Sequence, residues 1–216
     1  MKTICFTGWQ QPHDGLKSIA PDALHFNYTN CRSLAEIIDK FANIDTEYDR
    51  IVTWSLGSQI ALKLLDDGVL KAKELVMLAP PWQIIQSPEV LDATPPHVLD
   101  ETISRYKKDP EAVIEHFQSL VFLGAINQKE VLREALGDLP AIWPEGMAWL
   151  KFLKSFSCRK LHFNDMPKRI RIFHGDADVI VPVTQVEYFR EKLPQAEIFI
   201  LEGCSHAPQE YVRLER

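Results

Sequence analysis

Residues 51–61 read IVTWSLGSQIA, and this stretch decides the fold. An apolar strand runs into a sharp turn with Ser55 at its apex, and Gly57 opens an amphipathic helix. This order is typical of a nucleophile elbow, usually written G-x-S-x-G, in which the turn pushes the serine Oγ out beyond the strand end. Small residues are needed two positions to either side of the serine, because strand and helix come into contact there. Gly57 meets this need, whereas Thr53 stands where the upstream glycine is usual.

Two later strand-like segments carry the other groups that an activated serine requires. Residues 170–182 read IRIFHGDADVIVP, and residues 197–208 read EIFILEGCSHAP. Each begins as an apolar strand and continues into a turn that contains glycine. The first turn carries Asp176 and Asp178, and the second carries His206. Hydrolases built on this elbow have their acid and their histidine in this order after the serine. The sequence therefore predicts a Ser-Asp-His triad.

The roles follow from the chemistry of a serine hydroxyl, which is a poor nucleophile until a base removes its proton. We expect His206 to be that base, and then the acid that protonates the leaving group. Asp178 is chosen as the carboxylate that orients the imidazole, because the apolar residues after it can bury it. Asp176 is expected to brace the turn, although it stays open as the alternative acid. His174, at the start of the same loop, is expected to be a structural neighbour. The small residues beside His206 are expected to leave its ring accessible.

An oxyanion hole needs two backbone N–H groups that point at the developing negative charge. The amide of Leu56, directly after the nucleophile, is the first candidate. The second should come from the loop after the first strand, where Gly8 allows the backbone to come close to Ser55. We expect Trp9 to supply this amide, and its ring to form a wall of the pocket.

Composition sets the broader limits. The chain has 216 residues, 46% of them hydrophobic and 25% charged, which suits a single globular domain. A net charge of −6 without basic runs argues against a nucleic-acid binder. No stretch approaches the roughly 18 apolar residues of a membrane helix, so we predict a cytoplasmic protein that is not bound to membranes. The sequence contains neither a cluster of metal ligands nor a Gly-rich phosphate loop, so no metal and no cofactor are predicted. The four cysteines lack disulfide or zinc spacing: Cys5, Cys31, Cys158 and Cys204.

Short apolar strands alternate with helices over most of the chain. Residues 33–43 have helical periodicity, with Ser33 as N-cap and Glu36 completing a capping box. The alternation predicts an α/β fold, with a mostly parallel sheet and helices on both faces. The strands are expected at 2–7, 23–28, 50–54, 74–79, 170–173 and from 197, and a second helix at 57–67.

Residues 83–160 interrupt this alternation, because they contain helical patterns and no convincing strand. An insertion at this point of the chain lies where a lid over the carboxyl ends of the strands is expected. We therefore divide the chain into a first part of the hydrolase core (1–82), a helical lid (83–160) and a second part of the core (161–216). The lid helices are expected at 98–109, 110–123, 128–137 and 146–156.

Taken together, these features resemble a lid-bearing α/β-hydrolase. The fragments G-W after the first strand, W-S-L-G at the elbow, G-x-x-D-x-x-V-P and S-H-A-P resemble the pimeloyl-[acyl-carrier protein] methyl ester carboxylesterases of biotin synthesis. The resemblance implies a serine carboxylesterase that removes a methyl group from a pimeloyl chain on acyl-carrier protein. It also implies the same site residues: Ser55, Asp178 and His206 as the triad, with oxyanion amides from Trp9 and Leu56.

Three departures from the family pattern bear on the substrate more than on the reaction. Thr7 stands where a histidine is usual, and Thr53 and Ser58 replace elbow glycines. Two alternatives stay open at this point. One is a thioesterase or a small-ester hydrolase of broad specificity with the same triad, and the other is a catalytically silent binding module on the same fold.

The predicted lid gives a clue to the partner. Basic residues are numerous there within an otherwise acidic chain, and acyl-carrier proteins are strongly acidic. We expect a small acyl ester as substrate, carried on acyl-carrier protein, and a monomeric enzyme. The same count also arises from solvated helix faces. The basic residues are Arg105, Lys107, Lys108, Lys129, Arg133, Lys151, Lys154, Arg159 and Lys160.

Overall fold

The computed structural model describes residues 1–42, 44, 46–123 and 142–214. In these residues, six strands form one sheet: β1 (Thr3–Phe6), β2 (Leu24–His25), β3 (Glu47–Trp54), β4 (Lys71–Leu78), β5 (Arg169–Gly175) and β6 (Glu197–Leu201). Their order in the sheet is β2-β1-β3-β4-β5-β6, and every neighbouring pair is parallel. This agrees with the predicted α/β class.

The predicted helices within the described residues are present, with ends that differ by at most three residues, and one helix that was not predicted occurs at Val186–Lys192. The predicted helix at 128–137 lies outside the described residues. The described α-helices are α1 (Leu34–Phe41), α2 (Leu56–Asp66), α3 (Pro96–Tyr106), α4 (Pro110–Val121), α5 (Gly146–Ser155) and α6 (Val186–Lys192). The described part of the chain also contains three 3-10 helices, at Cys158–Lys160, Val183–Gln185 and Pro208–Tyr211.

Two local expectations need correction. β2 has two residues rather than six, because the chain turns away after His25 and the Asn27 side chain accepts from the Thr29 N–H at 3.1 Å. At the start of α1, Ser33 accepts from the Glu36 N–H at 3.4 Å, as a cap should. The Glu36 carboxylate, however, accepts from the Arg32 N–H at 2.9 Å, one residue before the cap. The reciprocal bond of a capping box is therefore shifted by one residue.

The two faces of the sheet are covered differently. Alternate strand residues point to opposite faces, so the sheet has a separate apolar core on each side. Residues of α1, α2 and α6 belong to the larger core. In the described part of the chain, the smaller core is closed mainly by Leu16 and Ala20 of a turn-rich segment and by Val212 near the chain end.

Helices α3, α4 and α5 pack beside the loop that follows β1. Three aromatic rings join them to the core: Tyr28 makes edge contacts with Trp143 and Trp149, at centroid distances of 5.2 and 5.4 Å. All three rings are buried. These aromatic residues therefore fill the core beneath the helical segment. Of the helices in the described residues, none has the length and apolar character needed to cross a membrane.

Candidate active site

Ser55 lies at the junction of β3 and α2 with a strained backbone. Its φ of 52° and ψ of −121° are in a region that side-chain-bearing residues rarely adopt. The tight turn is possible because α2 starts directly against β1. A Cβ on Gly57 would lie 2.2 Å from the Phe6 carbonyl oxygen and 2.6 Å from that of Thr7. Glycine is thus required at position 57, as the elbow pattern predicts.

The two residues that replace elbow glycines are bonded to each other. Thr53 Oγ1 and Ser58 Oγ lie 2.8 Å apart, and Thr53 Oγ1 also donates to the Val76 carbonyl oxygen at 3.3 Å. Both side chains are fully buried. The hydroxyls therefore satisfy one another inside the elbow, and the turn keeps its shape without the two glycines.

His206 links the serine to a carboxylate. Its Nε2 lies 2.8 Å from Ser55 Oγ, and its Nδ1 lies 2.7 Å from Asp178 Oδ2. An ionised carboxylate only accepts hydrogen bonds, so Nδ1 carries the proton and donates it. In the neutral ring the lone pair of Nε2 then faces the serine hydroxyl. The structure brings together the three residues that the sequence selects.

The carboxylate of Asp178 is surrounded by hydrogen-bond donors. Its Oδ1 accepts from the N–H groups of Ile180 and Val181, both at 2.9 Å. Burial raises the pKa of this carboxyl, but the charge of His206 and hydrogen bonds with His174 and His206 lower it more. The net result is a pKa below the ordinary range of an aspartate. Asp178 is therefore ionised at neutral pH.

Asp176 has a different place in the same loop. Its Oδ1 accepts from the Gly203 N–H at 2.7 Å, which joins the acid loop to the turn before His206. The side chain thus braces the turn, as expected. The two loops are also in direct contact at Gly175, where a Cβ would lie 2.1 Å from the Cys204 carbonyl oxygen.

The loop that carries His206 is held by Trp54, the residue before Ser55. Trp54 Nε1 donates to the His206 carbonyl oxygen at 2.8 Å. The expectation of an accessible ring is wrong, since only 1% of the His206 side chain is exposed. Its small neighbours Ser205 and Ala207 are themselves buried, and they let the ring pack between the loops.

His174 is a second imidazole beside the same carboxylate. Its Nε2 lies 2.8 Å from the Val181 carbonyl oxygen and 3.4 Å from Asp178 Oδ2. A carbonyl only accepts, so Nε2 carries a proton. The ring is fully buried and ties the end of β5 to the far side of the acid loop. This matches the predicted structural role.

The oxyanion candidates lie on the two elements that meet at the serine. Leu56 is the first residue of α2, where the N–H groups have no partner within the helix and the helix dipole favours negative charge. On the other side, a Cβ on Gly8 would lie 3.4 Å from Ser55 Cβ. The loop that carries Trp9 therefore does come against the serine.

The ring of Trp9 does not point freely into a pocket. It is 3% exposed, and its Nε1 donates to the Gly146 carbonyl oxygen at 2.9 Å. It also contacts Phe117 edge-on at a centroid distance of 5.0 Å. The ring thus anchors the loop to α4 and α5.

Three residues near the site lacked a role in the sequence reasoning or were given a lesser one: Trp54, His174 and Gln10. Trp54 stood in the W-S-L-G fragment, but a hydrogen bond to a loop 152 residues away leaves no local pattern. The sequence places Gln10 only in a loop. In the structure its polar side chain is fully buried, which is unusual for a glutamine.

Neither a metal-binding cluster nor a reactive Cys5 thiol is found among the described residues. None of their His, Cys, Asp and Glu side chains form a group of three or more that could hold a metal ion. All four cysteines are buried. Burial raises the pKa of the Cys5 thiol to about 12, so this thiol is not a nucleophile at neutral pH.

Comparison with known proteins places this geometry in a family. A sequence profile described as the alpha/beta hydrolase family matches residues 6–212. A pimeloyl-[acyl-carrier protein] methyl ester esterase from Aromatoleum aromaticum is 28% identical over 164 residues, which cover 72% of this chain and 65% of that protein. The match thus spans slightly less than two thirds of that relative. A protein of the same name from Vibrio campbellii is 25% identical over 219 residues, covering 93% of this chain and 82% of the relative.

Solved structures agree on the fold. An esterase from Exiguobacterium antarcticum superposes with a TM-score of 0.77 at 16% identity, over 96% of this chain and 86% of that one. The predicted α/β-hydrolase fold is confirmed. The chain belongs to the alpha/beta hydrolase family.

Proposed function

We propose that the protein is a serine carboxylesterase with Ser55 as nucleophile, His206 as base and Asp178 as the orienting acid. The observation that carries the proposal is the unbroken line of contacts from Ser55 Oγ through both nitrogens of His206 to Asp178, at 2.8 and 2.7 Å. An arrangement of nucleophile, base and orienting acid within hydrogen-bond reach is the geometry that activates a serine.

The reaction proceeds in two steps. Ser55 Oγ attacks the ester carbonyl carbon while His206 Nε2 takes its proton, and the amides of Trp9 and Leu56 bind the oxyanion. His206 then gives the proton to the leaving alkoxide, so that the alcohol departs and an acyl-serine remains. Water enters, loses a proton to His206 and attacks the acyl carbon. The acid product leaves, and Ser55 regains its proton.

We further propose the methyl ester of pimeloyl-[acyl-carrier protein] as the substrate. Support comes from the names of the relatives and from exposed basic residues on the helical segment, which suit an acidic carrier.

Lys154 and Arg159 line a surface cavity of about 410 Å³ together with Lys160. Lys154 is paired with Asp100, and Arg159 with Glu89. Lys129 and Arg133, two of the basic residues of the predicted lid, lie outside the described residues. The segment 83–160 is proposed as the lid, and the enzyme as a monomer of the cytoplasm.

A substrate comparison tests both levels of the proposal. Turnover of the pimeloyl-carrier methyl ester is compared with that of short p-nitrophenyl esters and of a carrier thioester, with Ser55→Ala as the control. We expect fast demethylation of the carrier substrate, with a KM that rises with salt, and no turnover by Ser55→Ala. Hydrolysis of p-nitrophenyl esters alone would keep the serine esterase and remove the carrier substrate. Thioester cleavage without demethylation would favour a thioesterase. The absence of all turnover would favour a silent module.

A further inference from the structure

The loop that carries the proposed oxyanion amide of Trp9 is closed by a strained turn. The Gln11 N–H donates to the Gly8 carbonyl oxygen at 3.3 Å, which leaves Trp9 and Gln10 as the central residues. Gln10 has a φ of 54°. Turns of this shape usually have glycine or asparagine at that position, because a Cβ is strained there. Something other than local preference must therefore hold Gln10 in place.

Hydrogen bonds of the Gln10 side chain hold its backbone in this conformation. It is fully buried, and both ends of its amide are bonded to the helical segment. Its Nε2 donates to the Tyr106 hydroxyl of α3 at 2.7 Å, and its Oε1 accepts from the Trp143 N–H before α5 at 3.0 Å. Its backbone carbonyl accepts from Gln118 Nε2 of α4 at 3.3 Å.

The residues on either side are bonded to the same segment. Trp9 Nε1 donates to the Gly146 carbonyl oxygen at 2.9 Å, and Trp143 Nε1 donates to the Gln11 carbonyl oxygen at 3.0 Å. The packing leaves no spare room, since a Cβ on Gly146 would lie 2.0 Å from Gln10 Nε2 and 2.4 Å from the Tyr106 hydroxyl. The loop and the helical segment therefore form one buried polar junction.

We propose that Gln10 is a positioning residue, which uses its bonds to Tyr106 and Trp143 to hold the Trp9 amide in the orientation that binds the oxyanion. This inference rests on the proposed serine esterase and deepens it. The helical segment then supports the loop that carries Trp9, in addition to covering the site. Rotation of the Trp9–Gln10 peptide would weaken binding of the transition state and leave binding of the ground-state ester nearly unchanged.

Two variants of the full-length chain test the proposal. Gln10→Met keeps the length of the side chain and removes both hydrogen bonds, and Tyr106→Phe removes one hydroxyl and keeps the ring. Tyr188→Phe is the matched control, because its hydroxyl bonds to Asp92 at 3.1 Å on another part of the surface. The probes are p-nitrophenyl butyrate as substrate and a trifluoromethyl ketone, whose serine adduct carries an oxyanion. Active sites are counted with a fluorophosphonate, and folding is followed by thermal unfolding.

We expect Gln10→Met to lower kcat roughly 10- to 100-fold with KM within about threefold, because a misplaced oxyanion donor acts on the transition state. Affinity for the trifluoromethyl ketone should fall in parallel with kcat/KM. Tyr106→Phe should lower kcat by a smaller factor, and the double variant should be no slower than Gln10→Met alone, since both changes remove the same contact. Tyr188→Phe should retain the wild-type kcat.

The outcomes separate this inference from the proposed function. Wild-type protein without ester turnover would refute the serine esterase itself. An active wild type with unchanged kcat in folded Gln10→Met and Tyr106→Phe, or with a change in KM alone, would refute only the role of Gln10. If Gln10→Met does not fold, Tyr106→Phe decides the question by the same criteria.

Discussion

The backbone of Ser55 is where the fold stores strain for the site. At a φ of 52°, a residue with a Cβ is less stable than glycine, by about 1 kcal/mol after the greater freedom of unfolded glycine is counted. Ser55→Gly and Ser55→Ala both remove the hydroxyl, so both should lack ester turnover. Chemical denaturation should nevertheless find the glycine variant more stable than the alanine variant. Equal stabilities, or a more stable alanine variant, would contradict a strained elbow.

The low pKa of Asp178 makes a prediction about acid stability. On acidification the unfolded chain binds a proton at this position near pH 4, while the folded state still excludes it. The stabilisation from the ionised carboxylate is therefore complete at neutral pH and is lost as the pH falls below about 4. Urea unfolding of wild type and Asp178→Asn at several pH values checks this. The stability difference should shrink below this pH, and a constant difference would show that the hydrogen-bond donors around the carboxylate do not stabilise its ionised form.

At the residue scale the sequence predicted what is encoded locally. Ser55, Asp178 and His206 each follow a strand, and their order along the chain identified them. Asp178 was preferred to Asp176 because apolar residues follow it. In the structure Asp178 contacts His206, and Asp176 braces the turn at Gly203, as expected. The buried state of His206 was missed, because it depends on Trp54 and on contacts between two loops. The bonds of Gln10 were missed for the same reason, since their partners lie about 100 residues or more away.

The contact between α2 and β1 is the critical one at the level of elements. Alanine favours helices, so Gly57→Ala should stabilise an isolated helix by about 1 kcal/mol. Here its Cβ would collide with the backbone of Phe6, which cannot move without disturbing the sheet. We expect a net loss of about 1–3 kcal/mol of unfolding free energy, together with a fall in kcat as the elbow shifts.

Ser58→Ala, one residue further along α2, is the control for this variant. It removes only the hydrogen bond to Thr53, worth about 1 kcal/mol, and leaves the approach of helix and strand unchanged. Urea unfolding and kcat are measured on both variants. A Gly57→Ala enzyme that is as stable and as active as Ser58→Ala would contradict the close approach.

Elements were predicted well where periodicity was strong and less well at their ends. The parallel order of the strands followed from the alternation with helices. β3 and β4 are longer than predicted because their first residues pair with each other, Glu47 with Lys71, although both are polar and exposed. β2 is shorter than predicted because a side-chain turn competes with strand pairing. The length of a strand therefore depends on pairing with its neighbours, and the sequence of a single segment does not show which residues will pair.

At the scale of the whole molecule, three loops from distant parts of the chain meet at one edge of the sheet. The glycines at positions 8, 57 and 175 mark the places where this meeting requires a bare backbone. The sequence predicted the family, and it predicted that Ser55, Asp178 and His206 lie together, because strand ends of a parallel sheet converge. It did not reach the junction between the oxyanion loop and α3, α4 and α5, which depends on how the helical segment packs.

Labelling with a fluorophosphonate tests most directly whether Ser55 is a nucleophile activated by His206. Intact-mass and peptide mass spectrometry would follow the wild type, Ser55→Ala and His206→Ala. We expect one adduct per wild-type chain, located on Ser55, no adduct on Ser55→Ala, and much slower labelling of a folded His206→Ala. Labelling at another residue, or equal rates for wild type and His206→Ala, would contradict it.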